Sequence, residues 1–182
     1  RMSLTRSAFR HFERLRVRWA EIDAQHIVFN GHYLMYCDTA ISGWWRAMAL
    51  PYAATMPPLG GDFYVKKSSL EYFASARLDD LIDVGVRAAR FGNSSMLLEC
   101  GIFRGDALLV AGELVYVFAD PATQTSKPVP QAFRDVAAAF QAGEAMTTVQ
   151  VGDWATLGTE AGAIRKTVFV DEQGIPAELE WD

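Results

Sequence analysis

The chain is poor in the residues from which several common kinds of site are built. Its 182 residues include two cysteines and three histidines, too few for a cysteine-rich metal module or a disulfide framework, since Cys37 and Cys100 make at most one bridge. A reducing, cytoplasmic location is expected. Long hydrophobic runs are also missing: Ala107 to Ala119 is broken by Glu113, well short of the ~18–20 residues a bilayer demands. A soluble protein with no membrane partner is expected. Arg1 to Arg18 holds six arginines but no apolar stretch of the ~7–15 residues that a secretory signal requires, so export is not expected. The sequence has no Gly-x-Ser-x-Gly, Gly-x-Gly, Cys-x-x-Cys or His-Glu-x-x-His. Serine-hydrolase, dinucleotide and zincin readings fall away with them.

What is present is a chain 51% apolar, 12% aromatic and 21% charged, enough to bury a core. Its charge is unevenly divided. Residues 1–141 hold 15 Lys/Arg against 14 Asp/Glu, whereas 142–182 hold 2 against 8. A domain over 1–141, a small and polar linker over 142–150 and a separate segment over 151–182 are expected. With so little net positive charge on the first part, nucleic acid is not an expected partner.

Phe12 to Trp19 alternates at period two, with Arg14, Arg16 and Arg18 on one side and Leu15, Val17 and Trp19 on the other, which predicts a half-buried strand whose arginines form a solvated face. After a loop, Tyr33, Cys37, Ala40, Ile41, Trp44 and Met48 recur every three or four residues, widened by Tyr36 and Trp45. The spacing predicts a long central helix over Gly31–Leu50, N-capped by Asn30 and stopped by Pro51. Strand-like runs follow at Phe63–Phe73, Leu81–Phe91, Ser95–Arg104 and Ala107–Ala119, with Gly92-Asn93 and Gly105-Asp106 as reversals. They predict an antiparallel meander, closed by a short helix over Pro130–Phe140. The implied class is α+β, one helix packed on an antiparallel sheet.

The residues with chemical potential collect in the loop Glu21 to Asn30, where two carboxylates and the His26 imidazole precede a helix N-terminus. Free N–H groups and a partial positive charge at such an end can polarise a carbonyl oxygen. A carboxylate beside it can attack that carbonyl or activate water. Asp23 and Glu21, two apart in an extended stretch, share a face. Asp23, His26 and His32 suggest no fourth metal ligand, and no metal is expected.

The run from Val17 to Leu34 (VRWAEIDAQHIVFNGHYL) resembles the signature of hot dog-fold acyl-CoA thioesterases of the 4-hydroxybenzoyl-CoA thioesterase type. The resemblance extends from about Phe9 to Phe140, including Val117-Phe118-Ala119-Asp120-Pro121 and Pro128-Val129-Pro130. It implies a sheet of about five strands wrapped around the helix, hydrolysis of an acyl- or aroyl-CoA thioester, and a homodimer or dimer of dimers. It also implies that Asp23 is the catalytic carboxylate and that the backbone N–H of Asn30 polarises the thioester carbonyl. Coenzyme A is then part of the substrate, and no cofactor is expected. Many relatives have Gly where this chain has His26, which adds an imidazole to the loop. His26, Phe29 and Tyr33 are expected to meet substrate, with Tyr36, Phe63, Tyr64 and Tyr72 as further pocket lining. Lys66, Arg87 and Arg90 are candidates for the coenzyme A phosphates. A non-catalytic dimer that holds acyl-CoA or a lipid is the alternative, marked by a missing or misdirected carboxylate.

Residues 154–182, including Ala163-Ile164-Arg165-Lys166-Thr167-Val168-Phe169-Val170-Asp171-Glu172, resemble the opening helix and turn of a GNAT-family N-acetyltransferase. That family grips acetyl-CoA with a later Gly-containing loop, which this sequence does not contain. The expectation is a fragment of a thioesterase–acetyltransferase fusion or a truncated module, inactive in acetyl transfer.

Overall fold

The computed structural model describes residues 4–179. The chain divides into two compact units, Arg1–Met146 and Thr147–Asp182. In the first, five antiparallel strands form one sheet: β1 (His11–Arg16), β2 (Asp62–Tyr72), β3 (Leu81–Phe91), β4 (Ser95–Arg104) and β5 (Ala107–Ala119). Against it lies the helix α1 (Asn30–Ala47), followed by α2 (Tyr52–Leu59); α3 (Gln131–Ala142) closes the unit. This is the α+β hot dog architecture expected from the sequence.

The core follows from two periodicities meeting. Strand alternation sends Ile82, Val84, Val86, Met96, Leu98, Cys100, Ile102, Val110 and Leu114 to one face, and the stripe of α1 sends Tyr33, Cys37, Ala40, Ile41, Trp44 and Met48 down onto it; all are buried. Phe133 of α3 stacks on Trp45 with ring centroids 4.7 Å apart and meets Trp44 edge-on. On the opposite face Gly85 and Gly101 are directly paired across β3 and β4. The hollow they leave is filled by the rings of Phe9, Phe12 and Phe103, which a Cβ at either glycine would strike at 2.6–2.9 Å.

Three expectations are corrected. The sheet order is β1-β3-β4-β5-β2, so only β3, β4 and β5 form the meander, and β2 sits at the far edge beside β5. The link from β2 to β3 is no hairpin: it passes the N-terminal end of α1, where the Ala76 N–H donates to Tyr33 Oη and the Val28 N–H donates to the Ala76 carbonyl. The first strand ends at Arg16, and Trp19–Glu21 forms a single 3₁₀ turn. Its arginines are also not simply solvated: Arg14 makes a two-pronged contact with Asp83, Arg18 pairs with Glu21, and Arg16 donates to the Asp79 carbonyl. The short helix α2, with Pro57 and Pro58 in its last turn, was not signalled by periodicity.

In the second unit, Asp153 caps α4 (Trp154–Arg165) by accepting from the Thr156 N–H at 2.9 Å and from its hydroxyl. The helix then widens into a π-helical segment over Lys166–Glu172. Part of the acetyltransferase-like stretch, residues 180–182, lies outside the described residues. No helix among the described residues is long and apolar enough to cross a membrane.

Candidate active site

The loop ahead of α1 is a tight antiparallel turn. Ile22 and Val28 bridge, the Asp23 N–H donates to the Ile27 carbonyl at 2.9 Å, and the His26 N–H returns to the Asp23 carbonyl at 3.0 Å. The Asp23 carboxylate itself accepts from the Gln25 N–H at 2.7 Å, the local bond that makes Asp a turn-former. His26 closes the turn at φ 60°, the left-handed region that favours glycine. A side chain thus occupies a left-handed backbone position, and the imidazole is exposed.

This turn folds Asp23 back against Ile27, with Ile22 opposite Val28 and the Glu21 carbonyl bonded to the N–H of Phe29, which leads into α1. Asn30 is the first helical residue and not the cap; Phe29 holds the cap position, and no side chain caps the helix. Among the described residues neither the Asn30 nor the Gly31 N–H has an acceptor. These amides are the donors a helix leaves unsatisfied at its start, and with the helix dipole they favour negative charge there. The ring of Phe29, 51% exposed, lies over Gly31, where a Cβ would meet it at 2.9 Å. It also meets His32 edge-on. Tyr72 from β2 donates to the Asn30 carbonyl at 3.3 Å.

The remaining expected site residues are distributed differently. Tyr33 and Tyr36 are buried with hydroxyls already bonded to Ala76 and Glu21, so they are core and not an open lining. Burial raises both phenols above their ordinary value, and for Tyr36 the bond to Glu21 adds to the effect. Arg87 is held by Glu99 at 2.6–2.7 Å beneath the Phe9 ring, on the sheet face away from α1. Arg90 is exposed near the end of β3, and Lys66 is exposed at the bulge of β2. Asp23, His26, Phe29 and Asn30 thus belong to one loop-to-helix junction, whereas Lys66, Arg87 and Arg90 are dispersed along the sheet.

Sequence reasoning missed how Glu21 is used. Its carboxylate is 4% exposed and faces Arg18 and Tyr36, so it does not share the open side of Asp23. Burial pushes this carboxyl up, yet the bonds from the Arg18 N–H, the Tyr36 hydroxyl and the Arg18 guanidinium together hold it below the usual carboxylate range. A basic residue three positions before a carboxylate was the available signal.

A cavity of about 310 Å³ opens between α1 and the β2 side of the sheet, its apolar lining including Ile41, Trp45 and Phe63 and its polar members Asp38, Ser42, Tyr52 and Tyr116. Burial, with the charge of Asp38 adding to it, pushes the Tyr116 phenol up to about 12. Because β2 runs antiparallel to α1, Tyr72 meets Asn30 at one end and Phe63 meets Trp45 at the other. Ile41 is eleven residues into the helix, ~16 Å from Asn30 at 1.5 Å per residue.

Residues 25–111 match the family model of the thioesterase superfamily. The match spans just under half of the chain and marks a thioesterase superfamily domain within it. The chain is 25% identical over 118 residues to the acyl-CoA thioester hydrolase YbgC of Escherichia coli O157:H7, covering 64% of this chain and 87% of that protein. The PA5185 protein of Pseudomonas aeruginosa, a solved structure, is 30% identical with a TM-score of 0.65, covering 77% of this chain and 97% of that one. A thioesterase from Thermus thermophilus, solved with coenzyme A and zinc, shares the fold at a TM-score of 0.64 and 23% identity, over 74% of this chain and 97% of that one. The superfamily match opens two residues after Asp23 and contains Asn30, α1 and β2 to β4.

Proposed function

We propose that the first unit hydrolyses an acyl- or aroyl-CoA thioester to the free acid and coenzyme A, at a site of the 4-hydroxybenzoyl-CoA thioesterase type. The observation that carries this is the uncapped N-terminus of α1, entered from a tight turn that begins at Asp23. The thioester oxygen accepts from the Asn30 N–H and feels the positive end of the helix, so negative charge developing on it is stabilised. Asp23 attacks the carbonyl carbon, or takes a proton from a water that does. In the first route a water then cleaves the acyl–Asp23 anhydride; in both the C–S bond breaks, and the hydroxyl of water ends on the acid and its proton on the thiol of coenzyme A. His26 and Phe29 border the reacting end. Arg90 and Lys66 are exposed cations available to phosphates, whereas Arg87 is engaged by Glu99.

A homodimer fits this chemistry. β2 is an edge strand of eleven residues, and exposed Val65, Tyr72 and Phe73 lie along it with Leu34 and Met35 on α1. Antiparallel pairing of two such edges about a twofold axis brings the helix N-terminus of one copy alongside the apolar cavity of the other. That cavity then receives an acyl group that a single protomer holds too far from its own Asn30. For residues 151–182 the acetyltransferase-like resemblance is read as an opening helix with no acetyl transfer of its own.

Thiol release from a panel of acyl-CoAs, short to long and aromatic, tests the reading. Turnover of at least one class is expected, and Asp23→Asn lowers it by ~10²–10⁴-fold with the melting temperature unchanged. Near-full turnover by Asp23→Asn removes Asp23 from the chemistry, and tight acyl-CoA binding without thiol release favours the non-catalytic alternative.

A further inference from the structure

Glu21 is a buried carboxylate that the chemistry above does not use. One of its oxygens, Oε2, accepts from the Arg18 N–H and from the Tyr36 hydroxyl, each at 2.7 Å. The other, Oε1, accepts from Arg18 Nε at 2.8 Å, with Nη2 at 2.7 Å. Its backbone carbonyl accepts from the Phe29 N–H at 2.9 Å. The residue therefore ties the start of the loop to α1 twice, through its side chain to Tyr36 in the second turn and through its backbone to Phe29 at the cap. Asp23 lies two residues further on, inside the loop that the Glu21–Phe29 bond closes.

A buried charge is costly unless its lone pairs are filled, and here four donors fill them. The same saturation leaves the carboxylate no means of attacking a carbonyl or accepting a proton from water. We propose that Glu21 is a positioning residue for thioester hydrolysis: its bonds to Tyr36 and Arg18 hold Asp23 in register with the first-turn amides of α1. This rests on the reading of Asp23 as the reacting carboxylate. Displacing a reacting group by ~1 Å costs on the order of 10²-fold in rate, so an anchor that never touches substrate is felt in kcat. Gln at this position accepts fewer of the four donors and turns an N–H₂ group either toward the Arg18 N–H and the Tyr36 hydroxyl or toward the Arg18 guanidinium.

Steady-state kinetics of the full chain with Glu21→Gln, Tyr36→Phe and the double variant test it, on the acyl-CoA that the unaltered chain turns over best. Glu21→Gln lowers kcat by ~10–100-fold while KM stays within about twofold, the signature of an interaction lost only in the transition state. Tyr36→Phe, which removes one neutral donor and keeps the ion pair, lowers kcat by ~3–10-fold. The double variant falls no further than Glu21→Gln, because both act through one contact. Glu21→Asp, with the charge restored on a shorter stem, recovers part of the loss. Amide hydrogen exchange across residues 22–29 speeds up in Glu21→Gln and not in Asp23→Asn. An unchanged kcat in Glu21→Gln, whatever its melting temperature, overturns the proposal, as does a loss confined to KM. If Glu21→Gln does not fold, Tyr36→Phe decides by the same split of kcat from KM. Asp23→Asn with full turnover overturns the Asp23 reading and this proposal with it, whereas an inactive Asp23→Asn beside a fully active Glu21→Gln overturns this proposal alone.

Discussion

The two units put similar helical material to different use. In the first, the apolar stripe of α1 has a five-stranded face to lie on, and Trp44 is 1% exposed; in the second, α4 buries only Gly158 and Gly162 among its residues, and Ile164 is 65% exposed. The difference teaches that a helix draws most of its stability from the surface opposite it and little from its own spacing. It extends to polar groups. The first unit encloses Glu21 and Asp83 because arginines and a tyrosine meet them, while in the second Asp153 does its capping in the open. A reactive loop held by buried polar contacts is available only to the unit that can bury them.

The sharpest way to break the comparison is truncation in each helix. Trp44→Ala is expected to destabilise the first unit by ~3–5 kcal/mol, and Ile164→Ala to change chain stability by less than ~0.5 kcal/mol, both from urea unfolding. Equal losses would mean that the second unit has a core comparable to the first.

Acid sharpens it next. Burial holds the imidazole of His11 below its ordinary value, with Glu13 pulling up and Arg46 pulling down. Between the unfolded value near 6.5 and the lower folded one, the unfolded chain binds a proton that the folded chain refuses, so stability falls as pH falls through that window. Glu21 and Asp83 have lowered folded values, Asp83 chiefly through its bond from Arg14. Their contribution is present above the unfolded carboxylate values, near 4, and is lost as pH falls through the folded ones. Urea midpoints are expected to drop in these two stages, and His11→Gln removes the first. A first stage unchanged in His11→Gln would exclude His11 as its source.

The smallest effect is expected from deleting 151–182. Turnover, melting of the first unit and the oligomeric state read by sedimentation all stay as in the full chain, and neither form transfers an acetyl group. Loss of thioesterase activity on deletion would make the second unit an integral part of the first.

Much of this protein was legible in its sequence. β3, β4 and β5 have the bounds their alternation and turn residues predict, and the burial of α1 follows its stripe, because period and turn chemistry are local properties. The loop that carries Asp23 was legible for a related reason, since its residue types declare a turn before a helix. Helix entry was misplaced by one residue, with Phe29 at the cap where Asn30 was expected, because capping depends on backbone geometry that several neighbours of similar propensity can supply. Tertiary structure alone decided that β2 lies beside β5, that the exposed Arg14 and Arg18 pair with Asp83 and Glu21, and that Tyr33 and Tyr36 spend their hydroxyls on Ala76 and Glu21. Strand neighbours and the partners of buried polar groups are set by segments far away in the chain, and the pattern within one element carries no record of which segment arrives beside it.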